Sequence, residues 1–414
     1  MYAALYRLAI SGYGTMLRVA ALFNHKAKLF VTGRNHIFDR MSAELANESR
    51  PRVWMHCASL GEFEQGRSVL ENIRKQYPAY AIVLTFFSPS GYEVRKHYDG
   101  ADHVFYLPID TNHNAQRFLD IVKPSLCLFV KYEFWYYYLA NMAKRNIPIL
   151  LVSGIFRQDH PFFKWYGKFH RGMLQFFTHI FLQDAASAAL LESIHVTQYS
   201  ISGDTRFDRV LVLPLLPKEY PIANAFCADN KIIVAGSTWP KDETFLHNAM
   251  KKISTNWKMI LVPHEVHEAH IAEIEKIFQG DTIRWSQWYD ESDKKVLIVD
   301  KVGFLSHLYH YGRIAWIGGG FDKEGVHNVL EAAVYGLPCF YGPVYERFLE
   351  AKELIERGGA FTLNTVVDFT TSVKELEDSI RYEHASHAAK HYVFANSGAT
   401  EKIMKYIADG AMLS

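Results

Sequence analysis

What most constrains this chain is a rhythm. Short apolar runs alternate with longer helix-like stretches, and the alternation occurs twice, on either side of a proline-bearing break. Runs that are apolar throughout read as strands covered on both faces, and strands alternating with helices read as a parallel α/β sheet. In the first series the strand-like runs are 53–57, 81–85, 103–106, 126–130, 149–152 and 180–182, with helix-like stretches such as 64–76 and 114–122 between them. Residues 213–230 carry Pro214, Pro217 and Pro221 with little periodicity and read as a linker. A second series follows at 231–235, 258–262, 296–299, 314–317 and 339–341. With 414 residues, the chain is long enough for two doubly wound domains. In such domains ligands bind beyond the carboxyl ends of the strands.

Composition narrows the function classes. Lys and Arg total 45 against 44 Asp and Glu, so bulk charge gives no basis for nucleic-acid binding. The four cysteines, Cys57, Cys127, Cys227 and Cys339, lie far apart, without the close pairs of a zinc site, and read as small buried hydrophobes. The N-terminus lacks the layout of a cleavable signal. Residues 8–23 are largely apolar but interrupted by Gly12, Gly14 and Arg18, too broken for a clear membrane span. Arg7, Arg18, Lys26, Lys28 and Arg34 all precede the first acid, Asp39. A basic, apolar segment of this kind suits an anionic membrane face, and equally suits a first helix packed on its domain.

Polar residues cluster where strands end. His56-Cys57-Ala58-Ser59-Leu60-Gly61-Glu62 runs from a strand into a helix start. Ser59 with Glu62 has the spacing of a capping box; alternatively, Glu62 projects beyond the sheet as a general base, with Glu64 as its rival. Lys131-Tyr132-Glu133-Phe134-Trp135 follows another strand. Glu133 reads either as a surface partner of Lys131 or as a second carboxylate at the sheet edge that holds Glu62. Arg206, in Gly203-Asp204-Thr205-Arg206, offers a planar donor fork for phosphate or carboxylate.

The second half repeats the design. Gly318, Gly319 and Gly320 follow a strand and lead to Asn328-Val329-Leu330-Glu331, a strand–glycine loop–helix sequence expected to cradle phosphate, with Glu331 placed to accept ribose hydroxyls. Ser237 and Thr238 lie in the loop after the first strand of this half, offering backbone and hydroxyl donors for a phosphate, and Pro263 and His264 lie in the loop after the second. His264, His267 and His270 invite a metal reading, but no acidic triad or cysteine pair accompanies them, and no metal is expected.

Taken in order, 56–62, Glu133-Phe134-Trp135, 203–208, 235–238 and 326–331 resemble the 3-deoxy-D-manno-octulosonic acid (Kdo) transferase family. The resemblance implies a GT-B fold of two Rossmann-like domains facing a central cleft. Its expected layout is a membrane-proximal segment (1–45), an acceptor domain (46–212), a linker (213–230), a donor domain (231–395) and a C-terminal helix (396–414). It further implies inverting transfer of Kdo from CMP-Kdo to a lipid A precursor in lipopolysaccharide biosynthesis, at the cytoplasmic face of a bacterial inner membrane, without a cofactor. The enzyme would be peripheral or N-terminally anchored. By that resemblance Glu62 is the base, while Glu133 and Arg206 support the transition state. Ser237, Thr238, Pro263, His264, Val302, Gly303, Phe304, Gly319, Gly320, Asn328, Val329, Leu330 and Glu331 fall at donor-site positions. Three positions depart from the pattern: Pro263-His264-Glu265 replaces Pro-Arg-His, Val302-Gly303-Phe304 replaces Met-Gly-Glu, and Arg206 replaces a lysine. The aromatic, basic stretch 162–171 fits a headgroup boundary or a partly buried helix. Rival readings are a UDP-sugar glycosyltransferase or epimerase on the same fold, and a membrane-peripheral binding protein without activity.

Overall fold

The computed structural model describes residues 2–289 and 293–413. The chain forms two compact units, residues 1–209 with 397–414, and residues 210–396. Each is built on one seven-stranded sheet whose paired strands run parallel.

The first sheet comprises β1 (Arg52–Cys57), β2 (Ala81–Phe86), β3 (His103–Tyr106), β4 (Pro124–Val130), β5 (Ile149–Gly154), β6 (His179–Leu182) and β7 (Tyr199–Ile201). Their order is β3-β2-β1-β4-β5-β6-β7. The direction of winding reverses between β1 and β4, which opens a crevice at the carboxyl ends of those two strands. Core packing follows from the unbroken apolar runs: β2 is buried along its whole length, and β1 and β4 nearly so. On one face Trp54, Phe118, Phe129 and Tyr138 pack together; on the other Met55, Phe63, Val69 and Leu84 meet the helix Ala399–Asp409. That last helix joins the first unit through Ile403, Met404 and Ile407. Asp208 accepts the backbone N–H groups of Gly398 and Thr400 and fixes its start.

The N-terminal residues form three helices, Tyr2–Ala20, His25–Thr32 and Ile37–Leu45. Ile37, Met41 and Leu45 enter the core beside Trp54, so the third helix is part of the domain. The first helix differs: Leu5, Leu8, Met16 and Val19 are exposed.

The second sheet comprises β8 (Lys231–Thr238), β9 (Trp257–Pro263), β10 (Thr282–Arg284), β11 (Val296–Ile298), β12 (Ile314–Ile317), β13 (Cys339–Tyr341) and β14 (Ala360–Thr362), in the order β10-β11-β9-β8-β12-β13-β14. Winding reverses between β8 and β12. Strands β7, β10 and β14 were not legible in the sequence because each is three residues long and, unlike the equally short β11 and β13, is not buried throughout. Within the stretch read as linker, Pro221–Cys227 is a helix that begins on its proline. All four cysteines are buried and free.

Candidate functional site

Glu62 and Glu133 stand on the two sides of the first sheet's winding reversal, Glu62 after β1 and Glu133 after β4. Both carboxylates act electrostatically on Cys57, whose thiol is pushed well up, first by burial and then by these charges. The sequence expectation that they share one sheet edge therefore holds for their placement.

The capping box does not form. Ser59 is the residue before the helix Leu60–Gln76, but its hydroxyl donates to the Glu62 carboxylate instead of accepting a helix N–H. Glu62 is half-buried and has no ion pair among the described residues. Glu64 is the opposite case, facing Arg95 at 2.8 Å, Arg67 at 3.6 Å and Arg209 at 3.7 Å. A carboxylate engaged by three guanidinium groups has its oxygens occupied, so geometry favours Glu62 over its rival.

Glu133 is not a surface residue, as the Lys131 reading had it. It is 7% exposed and is held from two sides: His56 Nε2 lies 2.8 Å away, and the Trp135 indole N–H donates to the same oxygen. His56 is fully buried, and its Nδ1 lies 2.9 Å from the Thr85 hydroxyl, which accepts from Trp54 Nε1 at 2.8 Å. Because the indole can only donate, the Thr85 proton has two acceptors, His56 Nδ1 at 2.9 Å and the more distant Met55 carbonyl at 3.5 Å, and the shorter contact is the one to His56. His56 Nε2 then carries the proton and donates to Glu133. Sequence reasoning missed this chain; its signal was a histidine and a threonine inside strands that are otherwise apolar.

Behind Glu133, Asp110 is fully buried and accepts the N–H groups of Tyr137 and Tyr138 at 3.0 and 3.1 Å, with the Tyr6 hydroxyl at 2.6 Å. Burial pushes its carboxyl up to about 6 against these lowering contacts. Asp110 thereby ties the first helix to the start of the helix after Glu133. Arg206 is held by Asp204 through Nε at 2.9 Å and a second nitrogen at 2.8 Å. The neighbouring Thr205 hydroxyl donates to the Gln65 carbonyl, which draws this turn toward the helix that carries Glu62.

In the second unit, the loops after β8 and β12 flank the other winding reversal. They bring together Ser237, Thr238, Gly319 and Gly320. The glycines serve a different purpose from the expected phosphate cradle. A Cβ on Gly318 would collide with the Ser237 backbone, and one on Gly320 with Gly342, so these residues let three loops pack backbone to backbone. The Gly318 and Gly319 N–H groups are already used, by the Gly236 carbonyl and by Asp242 Oδ2 at 2.9 Å. The helix that follows, Leu330–Ala333, is a single turn. Val329 and Leu330 are fully buried core residues, so their side chains cannot face a ligand. Asn328 and Glu331 do remain accessible, hydrogen-bonded to each other at 3.1 Å.

Two neighbouring buried acids, absent from the sequence reading, organise these loops. Asp242 accepts from the Gly319 and Trp239 backbone and, at 3.2 Å, from Trp316 Nε1. Glu243 accepts from the Thr238 hydroxyl at 3.0 Å and faces His270 Nε2 at 3.0 Å, while His270 Nδ1 donates to the Glu265 carbonyl. The three histidines thus have separate tasks: His270 braces two loops, His267 caps a helix, and His264 stacks on Trp239 and His327 with ring centroids 4.8 and 4.5 Å apart. Trp239 Nε1 donates to His327 Nε2 at 2.9 Å, which leaves the His327 proton on Nδ1. Burial, with His264 beside it, pushes His327 down to about 4. Pro263 is buried at the end of β9, whereas Val302 is 83% exposed beside Gly303 and a half-buried Phe304.

Residues 35–209 match the family described as 3-Deoxy-D-manno-octulosonic-acid transferase (kdotransferase), and the match ends where the first unit's continuous segment ends. The 3-deoxy-D-manno-octulosonic acid transferase of Aquifex aeolicus is 27% identical over 82% of this chain and 90% of its own length. That of Haemophilus influenzae is 26% identical over 85% of each. A bifunctional glycosyltransferase/methyltransferase of Fusobacterium nucleatum is 25% identical over 91% of this chain, which spans only 59% of that relative. Among solved structures, UDP-GlcNAc 2-epimerase from Neisseria meningitidis superposes with TM-score 0.60 and 16% identity, covering 86% of this chain and 100% of that one. Acinetobacter baumannii MurG does so with 0.53 and 12%, covering 87% and 99%. At such identities the likeness is one of fold, and that fold is GT-B type.

Proposed function

Because residues 35–209 match the Kdo transferase family and relatives of that name align over most of the chain, we propose that it is an inverting glycosyltransferase that moves Kdo from CMP-Kdo to a lipid A precursor. The observation that carries the reading is the Glu62–Glu133 arrangement at the winding reversal of the very unit that the family match covers. Glu62, free of ion pairs among the described residues, takes the proton from the attacking acceptor hydroxyl. Glu133, held in place by the His56 and Trp135 N–H groups, faces the positive charge that develops on the sugar as the nucleotide leaves. Arg206, oriented by Asp204, supplies fixed positive charge beyond the carboxyl end of β7. In the second unit, Asn328 and Glu331 offer polar groups to the nucleoside, and His327 offers a neutral N–H.

The acceptor lies at a membrane surface in this reading, with the protein on the cytoplasmic face of the inner membrane. No helix of the described residues is long and apolar enough to cross a bilayer. Support for a peripheral mode comes from the first helix, whose exposed Leu5, Leu8, Met16 and Val19 recur at helical spacing, with Leu22 and Phe23 exposed just beyond it. Of the stretch 162–171, Phe162 is core, but Trp165 is 92% exposed and Tyr166 half-exposed. Phe169 of the same stretch packs on Tyr6 of the first helix, 5.6 Å between centroids.

The test is transfer by purified protein with CMP-Kdo generated in place and a lipid A precursor. Lipid-linked Kdo is the expected product. Absence of that product, with turnover of a UDP-sugar instead, would replace this reading with the UDP-sugar alternative. Flotation with anionic vesicles, reduced by Leu8→Asp, tests the membrane part separately.

A further inference from the structure

A cavity of about 330 Å³ opens in the first unit beside the N-terminal helices, and its charged and polar lining is Arg18, Arg34, His36, Asp39, Asn114 and Arg117. Three guanidinium groups thus surround a single carboxylate, and that carboxylate is already engaged, with Arg117 at 3.3 Å and His36 at 3.6 Å. Arg34 has no acidic partner among the described residues. Its donors reach only carbonyl oxygens, those of Leu107 at 2.8 Å, Phe30 at 2.9 Å and Phe87 at 2.7 Å. Its guanidinium lies 3.5 Å from the Phe30 ring centroid. Three of five N–H groups are satisfied in this way, leaving two for a ligand. Arg18 is exposed and likewise lacks an acidic partner among the described residues. The cavity therefore holds positive charge that nothing in the unit compensates, partly withdrawn from water, where an anion would be bound most strongly.

Its position says which anion. Phe87, whose carbonyl Arg34 grips, packs against Trp135 at 4.4 Å, and Trp135 holds Glu133. On its other side the cavity adjoins the helix that exposes Leu5, Leu8, Met16 and Val19. A ligand anchored here would carry its anion between an apolar face and the reacting end of the sheet. We propose that this cavity binds a phosphate monoester on the headgroup of the lipid acceptor. Planar guanidinium forks grip phosphate oxygens in pairs, and so fix the headgroup while its hydroxyl meets Glu62.

This inference rests on the acceptor reading above, and its test separates the two. Arg18→Gln with Arg117→Gln removes two walls while leaving the structural Arg34 intact. Transfer is measured on a phosphorylated lipid acceptor and on the same acceptor after phosphatase treatment. Binding of inorganic phosphate alone is followed by titration calorimetry. The expected result is a fall of about tenfold in the ratio of kcat/KM for phosphorylated over dephosphorylated acceptor, with weaker phosphate binding. An unchanged ratio, or equal losses on both acceptors, would overturn the proposal. Should the unaltered protein transfer no Kdo yet bind phosphate in a manner that the double variant loses, the anion site stands and the functional reading falls.

Discussion

The His56 imidazole and the Glu133 carboxylate meet at 2.8 Å in the interior of the first unit, 77 residues apart in sequence. The contact exists because β1 and β4 are neighbours in the sheet. It converts a carboxylate that local sequence would leave at the surface into an oriented group of the candidate site.

Breaking this contact should harm both fold and turnover. His56→Gln cannot span Thr85 and Glu133 at once, which leaves buried polar groups short of partners at a cost of about 1–3 kcal/mol. We expect kcat to fall by roughly tenfold or more, with the KM for the donor nearly constant if, as proposed, the nucleoside is held by loops of the other unit. Steady-state kinetics and urea unfolding of the same variant would show it; unchanged kcat would reduce His56 to a packing role.

The two acids of the following helix should separate cleanly. Glu62→Gln removes the proton acceptor, with an expected loss of about 10²–10⁴ in kcat. Glu64→Gln releases Arg67, Arg95 and Arg209 and should leave kcat unchanged while costing about 1 kcal/mol of stability or less, since these pairs are partly exposed. If the two variants were equally impaired, Glu62 would lose its assignment.

His327 is kept neutral first by burial and by His264 beside it, and the Trp239 contact acts in the same direction. The indole N–H requires a lone pair on His327 Nε2, which reinforces burial in keeping the ring near a pKa of about 4. Trp239→Phe removes the donor, so the His327 titration, followed by NMR of its ring, should move up toward the ordinary histidine range. Donor KM should then acquire a pH dependence between about pH 5 and 7 that the native protein lacks at this residue.

Asp242 makes a prediction about stability. Burial raises its carboxyl from 3.8 to about 6 in spite of three N–H donors. Between those values the unfolded chain releases the proton while the folded unit keeps it. Stability therefore falls as pH rises through this window and levels off above it, by up to about 3 kcal/mol. Asp242→Asn should remove that slope and lower stability by about 1–3 kcal/mol, because with its oxygen on the Gly319 and Trp239 N–H groups its amide N–H₂ meets the Trp316 indole N–H. Urea unfolding at several pH values between 4 and 7 compares the two proteins, and parallel slopes would rule the assignment out.

Strand and helix type, the doubled α/β plan and the polar strand ends holding Glu62 and Glu133 could be read from the chain, because an apolar run or a strand-to-helix transition is a property of adjacent residues. Partners could not be read. Ser59 and Glu62 have capping-box spacing, yet the serine hydroxyl turns to the carboxylate. Gly318 and Gly320 look like a phosphate cradle, yet their missing side chains make room for Ser237 and Gly342. Asp242 and Glu243 look like ordinary helix-start acids, yet they brace the loops around the second winding reversal. In each case the deciding neighbour comes from a distant segment or from an unpredicted local rotamer. Sequence thus determined which segments become strands and which polar residues reach their ends. Tertiary structure decided which of those residues are buried together, because strand order sets which loops adjoin and a buried polar group must find its partner there.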